Sequence, residues 1–249
     1  MTIDIPMNAR GSVGLADLDN GTFAKPGTQQ TPAPSRQPPQ PQVQQPSPRP
    51  QRTRPPGNGV ILKKGQKTSL SQMNPNLDLI EVGLGWDLGP QGQAYDLDVE
   101  AFLLGSNGKV IGDDWFVFYN QPGSPDGSVR LLGDNTTGAG DGDDEIIQIR
   151  LSQVHPGVSK IVFIVTINEA RERGYNFSNV TNAYVRIVDK STGGELVRFN
   201  LTDYYNTVCS MMVGEVYKHN GAWKFNPIGN GTGDDLEGLC ARFGVNVAG

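Results

Sequence analysis

Residues 95–104 read Tyr-Asp-Leu-Asp-Val-Glu-Ala-Phe-Leu-Leu, with acidic and apolar side chains alternating one for one through Ala101. An extended strand is what sorts such a pattern, because successive side chains leave a strand on opposite faces. Leu97, Val99, Ala101 and Leu103 are therefore assigned to a core. Asp96, Asp98 and Glu100 take the other face, about 7 Å apart. Aspartate is depleted in strands, so two of them at i and i+2 call for a reason. Two readings stand open: a solvated acidic face, and convergence on a cation.

A second acidic stretch follows at residues 133–145, Gly-Asp-Asn-Thr-Thr-Gly-Ala-Gly-Asp-Gly-Asp-Asp-Glu, and gives way at once to Ile146-Ile147-Gln148-Ile149. Carboxylates this crowded repel one another, and the four glycines among them add backbone entropy that folding must overcome. A hard cation relieves both problems through oxygen ligands. The candidate ligands are Asp96, Asp98, Asn120, Asp134, Asn135, Asp141, Asp143, Asp144 and Glu145, shared between two ions. Calcium takes six to eight oxygens, whereas magnesium keeps more water, so calcium leads. A plain solvated loop remains the alternative.

Two familiar calcium motifs do not fit. Residues 134–145 have the span of an EF-hand loop, but Thr136, Gly138 and Ala139 stand where that motif needs two oxygen ligands and a glycine. Residues 139–146 resemble one calcium β-roll repeat, yet that architecture needs stacked copies and the chain has one.

The remaining pattern is of short strands and turns. Val60-Ile61-Leu62 and Leu79-Ile80-Glu81-Val82-Gly83-Leu84-Gly85-Trp86 read as strands, the glycines of the second marking close backbone approach. Trp115-Phe116-Val117-Phe118-Tyr119 reads as a buried aromatic strand. Residues 160–167 are apolar on both faces, as in a central strand covered twice. Asn220-Gly221 is the strongest hairpin signal. A terminal helix is expected, with Asp234 as N-cap, Leu236, Leu239, Cys240 and Phe243 on one face, and Gly244 just past its end. About ten strands without βα alternation predict a mainly β fold, an antiparallel two-sheet β-sandwich over residues 58–249 with a short C-terminal helix.

Residues 1–57 differ in kind. Pro, Gln, Arg, Ser and Thr dominate residues 26–56, which have almost nothing to bury, so a disordered, extended tail is expected ahead of the domain. No acidic residue lies between Asp19 and Asp78, while Lys25, Arg36, Arg49, Arg52, Arg54, Lys63, Lys64 and Lys67 do. With a net charge of −5 overall, the folded part is left markedly acidic, which argues against a nucleic-acid face. No apolar run approaches a membrane span, so direct insertion is not expected, and Cys209 and Cys240 suit reduced thiols in the cytoplasm.

Enzyme signatures are weak. His155 precedes a proline and His219 abuts the Asn-Gly turn, and neither has an evident nucleophile or orienting partner. Gly229-Asn230-Gly231-Thr232-Gly233 ahead of the helix has the look of a phosphate loop, but Asp234 and Asp235 would oppose an anion there.

Several blocks taken together resemble the TerD domain of the tellurite-resistance and stress-response operons. They are Gly83-Leu84-Gly85-Trp86-Asp87, Tyr95-Asp96-Leu97-Asp98, Phe116-Val117-Phe118-Tyr119-Asn120, Ser124-Pro125-Asp126-Gly127-Ser128-Val129, Gly133-Asp134-Asn135-Thr136-Thr137-Gly138 and Gly142-Asp143-Asp144-Glu145. Gly214-Glu215-Val216-Tyr217 and Phe243-Gly244-Val245-Asn246-Val247 extend the likeness across residues 58–247. The resemblance implies a calcium-binding β-sandwich of a bacterial cytoplasm, peripheral to the inner membrane through an integral-membrane partner in a stress-response complex. Asp96, Asp98, Asp134, Asn135, Asp143, Asp144 and Glu145 match its acidic blocks, while Asp141 stands where relatives vary. The Pro/Gln/Arg tail departs from the family pattern. The leading expectation is a non-enzymatic, calcium-dependent interaction module. A metal-dependent hydrolase using the same acids and a purely structural acidic β-domain are the rivals.

Overall fold

The computed structural model describes residues 58–89, 92–133, 135–139, 142–201 and 206–247. The expectations for the tail of residues 1–57 lie outside them. In chain order the elements are β1 (Val60–Ile61), β2 (Thr68–Ser69), α1 (Leu70–Met73), β3 (Leu79–Asp87), β4 (Leu97–Leu104), β5 (Phe116–Val117), β6 (Val129–Leu131) and β7 (Glu145–Arg150). There follow β8 (Lys160–Ile167), α2 (Ala170–Arg173), β9 (Thr181–Asp189), β10 (Gly194–Asn200), β11 (Ser210–His219), β12 (Ala222–Thr232) and α3 (Leu236–Phe243).

These strands form two six-stranded sheets, ordered β1-β10-β9-β3-β7-β6 and β2-β12-β11-β8-β4-β5. Every pairing is antiparallel except that of the two-residue β1, which lies parallel to β10 at Val60↔Val197 and Ile61↔Arg198. The two-sheet sandwich expected from the strand pattern is what the chain builds, with this one parallel edge added.

The alternation along β4 decides what each face meets. Leu97, Val99, Ala101 and Leu103 enter the main core between the sheets, alongside Val82 and Leu84 of β3, Ile147 and Ile149 of β7 and Phe163 of β8. Phe102 and Leu104, on the opposite face, join a second core with Val162, Ile164 and the α3 residues Leu239, Cys240 and Phe243. The doubly apolar β8 is thereby explained, since one of its faces meets the other sheet and the other meets α3. At about 25 cal/mol per Å² of apolar surface removed from water, burying each such side chain contributes roughly 1.5–3 kcal/mol.

Local expectations fare unevenly. Asn220 and Gly221 form the β11–β12 turn with positive φ at both residues, as an Asn-Gly hairpin requires. Helix α3 is capped by Asp235 and not by Asp234: the Asp235 carboxylate accepts from Gly238 N at 3.0 Å, while Asp234 gives its backbone carbonyl to Ser210 Oγ. The segment expected to be a long aromatic strand shortens to β5, because Phe118 pairs back locally with Gln121.

Candidate functional site

Glu145 is the first residue of β7, and period two sends its side chain inward with Ile147 and Ile149. It is therefore buried in the space between the sheets, opposite Leu84 of β3. A carboxylate placed there must find donors. It finds the backbone N–H of Val99, which donates to Glu145 Oε2 from β4 of the other sheet. β5 pairs only with Ala101 and Phe102, so Val99 lies beyond its reach and the carboxylate serves that length of β4. The two acidic stretches of the sequence are thus joined by a hydrogen bond between the sheets.

Asp144 stands one residue earlier. Its Oδ2 accepts from the backbone N–H of Trp86 at 2.9 Å and its Oδ1 from Asn135 Nδ2 at 2.9 Å, while Asp144 N donates to Leu84 O at 2.7 Å. Asn135 in turn accepts from Thr137 N and Thr137 Oγ1 at 3.1 and 3.0 Å. The loop is thereby folded onto the end of β3. Gly138, at φ +69°, lies against the buried indole of Trp86, where a Cβ would come within 2.2 Å of Nε1. That indole N–H donates to Tyr95 O at 3.0 Å, beside the first aspartate of the Tyr-Asp-Leu-Asp block.

Asp143 turns the other way, across β3. Arg186 of β9 donates from Nε to both of its oxygens, at 2.8 and 3.0 Å, and Tyr184 OH donates to Oδ1 at 3.0 Å. The carboxylate passes over Gly83, where any Cβ would sit 2.0 Å from Oδ2, which is the close approach that the glycine-bearing strand implied. Arg186 also pairs with Glu195 at 3.1 Å, Glu195 pairs with Arg198 at 2.7 Å, and the Arg198 guanidinium lies 4.0 Å from the Tyr184 ring centre. Burial lowers the Arg186 pKa, but the hydrogen bonds that Arg186 donates to Asp143 and Glu195 outweigh it and raise the pKa above its ordinary value. No sequence argument reached Arg186 or Tyr184. The available signal was two polar-tipped residues at i and i+2 within the otherwise apolar residues 183–188 of β9.

Just before β4, Asp96 accepts from Asn168 Nδ2 at 2.8 Å. Asp98 is half-buried on the sheet's outer face, opposite Thr166. Next on that face is Glu100, fully buried, with its Oε1 accepting from Thr166 Oγ1 at 2.7 Å. Burial, and then the negative charge of Asp98, push the Glu100 carboxyl well above its ordinary pKa. Tyr119 stands near both acids, its hydroxyl raised by burial and by the charges of Asp98 and Glu100. Asn120, beside it in sequence, is exposed.

Of the nine residues singled out in the sequence, the described region places Asn135, Asp144 and Glu145 around the end of β3 and the edge of β4. Asp96 and Asp98 lie just before β4 and on it, respectively, and Asp143 is drawn to Arg186. Asp134 and Asp141 lie outside the described residues. Among the described residues, no three histidine, cysteine, aspartate or glutamate side chains are gathered as a metal-holding group. The donors present are nonetheless carboxylate and amide oxygens, the set that a hard cation takes. A carboxylate oxygen accepting one N–H keeps a second lone pair for a ligand.

The histidines take no part: His155 packs on Trp115 at 5.3 Å between ring centres and accepts from Gly157 N. Both cysteines are free thiols, and burial, with help from Glu100, pushes Cys240 up to about 12. Among the described residues, no helix is long and apolar enough to cross a membrane.

A family model described as the TerD domain matches residues 59–243. The chain is 47% identical over 190 residues to the tellurium resistance protein TerD of Serratia marcescens, covering 76% of this chain and 99% of that protein. It is 43% identical over 190 residues to general stress protein 16U of Bacillus subtilis, covering 76% and 98%. Among solved structures, a homologue of telluride resistance protein from Streptomyces coelicolor superposes with a TM-score of 0.52 at 21% identity, over 70% of this chain and all of that one, a likeness of fold.

Proposed function

Given that this chain belongs to the TerD domain family, we propose that it is a non-enzymatic, calcium-binding module of a bacterial stress response, serving resistance to tellurium compounds and other chemical insults. Relatives named for tellurium resistance and general stress support the physiological part. The chemical part rests on one observation: Glu145 of the acidic loop, 46 residues from Val99 in sequence, hydrogen-bonds to its backbone and so brings the two acidic stretches together. Two calcium ions shared between these stretches would be held by carboxylate and amide oxygens from β4, from the loop before β7 and from the turn at Asn120. Such an ion would fix the glycine-rich loop against Trp86, and with it a surface for protein partners. We assign the module to a stress-response assembly that includes an integral-membrane partner, which would hold it at the inner membrane from the cytoplasmic side.

Calorimetric titration of the full chain with calcium and with magnesium tests this. Binding with a Kd of about 10⁻⁷–10⁻⁴ M, selective for calcium and lost in Asp98→Asn, is the expected result. A rise in melting temperature with calcium concentration accompanies it. Absence of any binding heat up to millimolar calcium overturns the reading.

A further inference from the structure

Glu100 shares the acidic face of β4 with Asp98 but is not among the nine candidate ligands, and its surroundings are not those of a solvated acid. It is 0% exposed, on the face of β4 that α3 covers. Its neighbours along that face, Phe102 and Leu104, and its cross-strand partner Ile164 are apolar. An apolar side chain would fill such a position without desolvating a charge. Glu100 Oε1 has the Thr166 hydroxyl, but Oε2 is buried with no hydrogen-bond partner among the described residues. The charges that act on it most strongly are those of Asp98 and then Glu145, both negative. A carboxylate sealed from water with an unused oxygen, and acted on by two further acids, is tolerable when a cation lies beside it.

We propose that Glu100 Oε2 is a ligand for one of the two cations, reaching it from beneath α3 beside Asp98. This rests on the cation reading above and adds to it. A ligand at Glu100 ties the ion to the second core, because Cys240 of α3 lies close enough to feel the Glu100 charge and packs there with Leu239 and Phe243. The cation is then coupled to the seating of the C-terminal helix as well as to the acidic loop.

The test uses the full chain and calcium alone. Glu100→Gln keeps the length of the side chain and an oxygen for Thr166 Oγ1 while removing the charge. Calorimetry is expected to show calcium affinity reduced at least tenfold, or one equivalent lost. In wild-type protein, the side-chain carboxylate carbon resonance of Glu100 is expected to move on calcium addition, and amide exchange in α3 to slow. The resonance measurement needs no variant, so it decides the matter even if Glu100→Gln fails to fold. Calcium binding by wild-type protein, with unchanged affinity and stoichiometry in Glu100→Gln and a stationary Glu100 resonance, overturns the ligand assignment and leaves the cation reading standing. No calcium binding by wild-type protein overturns both.

Discussion

Arg186 holds both carboxylate oxygens of Asp143 through its Nε, across a step in β3 that Gly83 leaves open. Three strands are tied by this pair, because Gly83 is in register with Arg186 on one side and with Ile146 on the other. Removing one partner leaves a largely buried charge behind: the Asp143 side chain is 5% exposed. Arg186→Met is expected to lower stability by about 2–4 kcal/mol in urea denaturation. Gly83→Ala is expected to cost about 2 kcal/mol or more, since its methyl group would displace the Asp143 carboxylate. A cost below about 0.5 kcal/mol for either would show that the pair does not hold the loop.

Gly138 combines a left-handed backbone with contact against Trp86. Gly138→Ala meets both obstacles, the strained φ and the indole. The loop is expected to lift from the ring at a cost of about 1–3 kcal/mol. The indole N–H resonance of Trp86, hydrogen-bonded to Tyr95 O, reports this directly by nuclear magnetic resonance. An unshifted Trp86 resonance in the variant would contradict the packing described.

Asp78 joins the start of β3 to the residues that follow β7. Its carboxylate accepts from Ser152 N at 2.8 Å and lies 3.3 Å from Arg150 Nη1. Hydrogen bonding from Ser152 holds its pKa below the ordinary 3.8. A depressed folded-state pKa means that the native state binds this proton less readily than the unfolded chain. The associated stability is therefore present above pH 3.8 and is lost as the pH falls through the lowered value. Asp78→Asn is expected to be less stable than wild type at neutral pH, with the gap closing as the pH falls below 3.8. Melting curves from pH 2 to 7 check this, and a gap independent of pH would refute it.

Asp235 caps α3 and also pairs with Arg171 at 2.9 Å, which joins the helix to α2. Asp235→Ala is expected to lower stability by about 1 kcal/mol, within the range of cap losses. Asp234→Ala leaves the Ser210 Oγ bond intact, because the carbonyl supplies it, and is expected to cost less than half as much. Equal losses from the two variants would restore Asp234 as the cap.

The sheet architecture was legible because hydrophobic period encodes faces, and faces decide layers. The alternation over residues 95–104, the doubly apolar residues 160–167 and the Asn-Gly turn each carried their meaning locally, and the sandwich followed from their number and spacing. Asp235 was misjudged as helix interior because Asp234 and Asp235 are chemically identical, and only the backbone direction at the helix start distinguishes them. The aromatic stretch around Phe116 was overextended because β-propensity says nothing of where a neighbouring strand ends.

The acidic residues show the boundary most clearly. Local composition alone marked β4 and the loop before β7 as rich in oxygen ligands, since charge repulsion and glycine content are properties of neighbours in sequence. Which carboxylate faces what is a matter of partners remote in the chain. Asp143 is spent on Arg186, Glu145 reaches across to Val99, and Glu100 is sealed under α3 beside Thr166. Sequence periodicity assigns a side chain to a face of its own strand, but sheet order and register, set by the packing of whole elements, place the donors and charges that the face then meets.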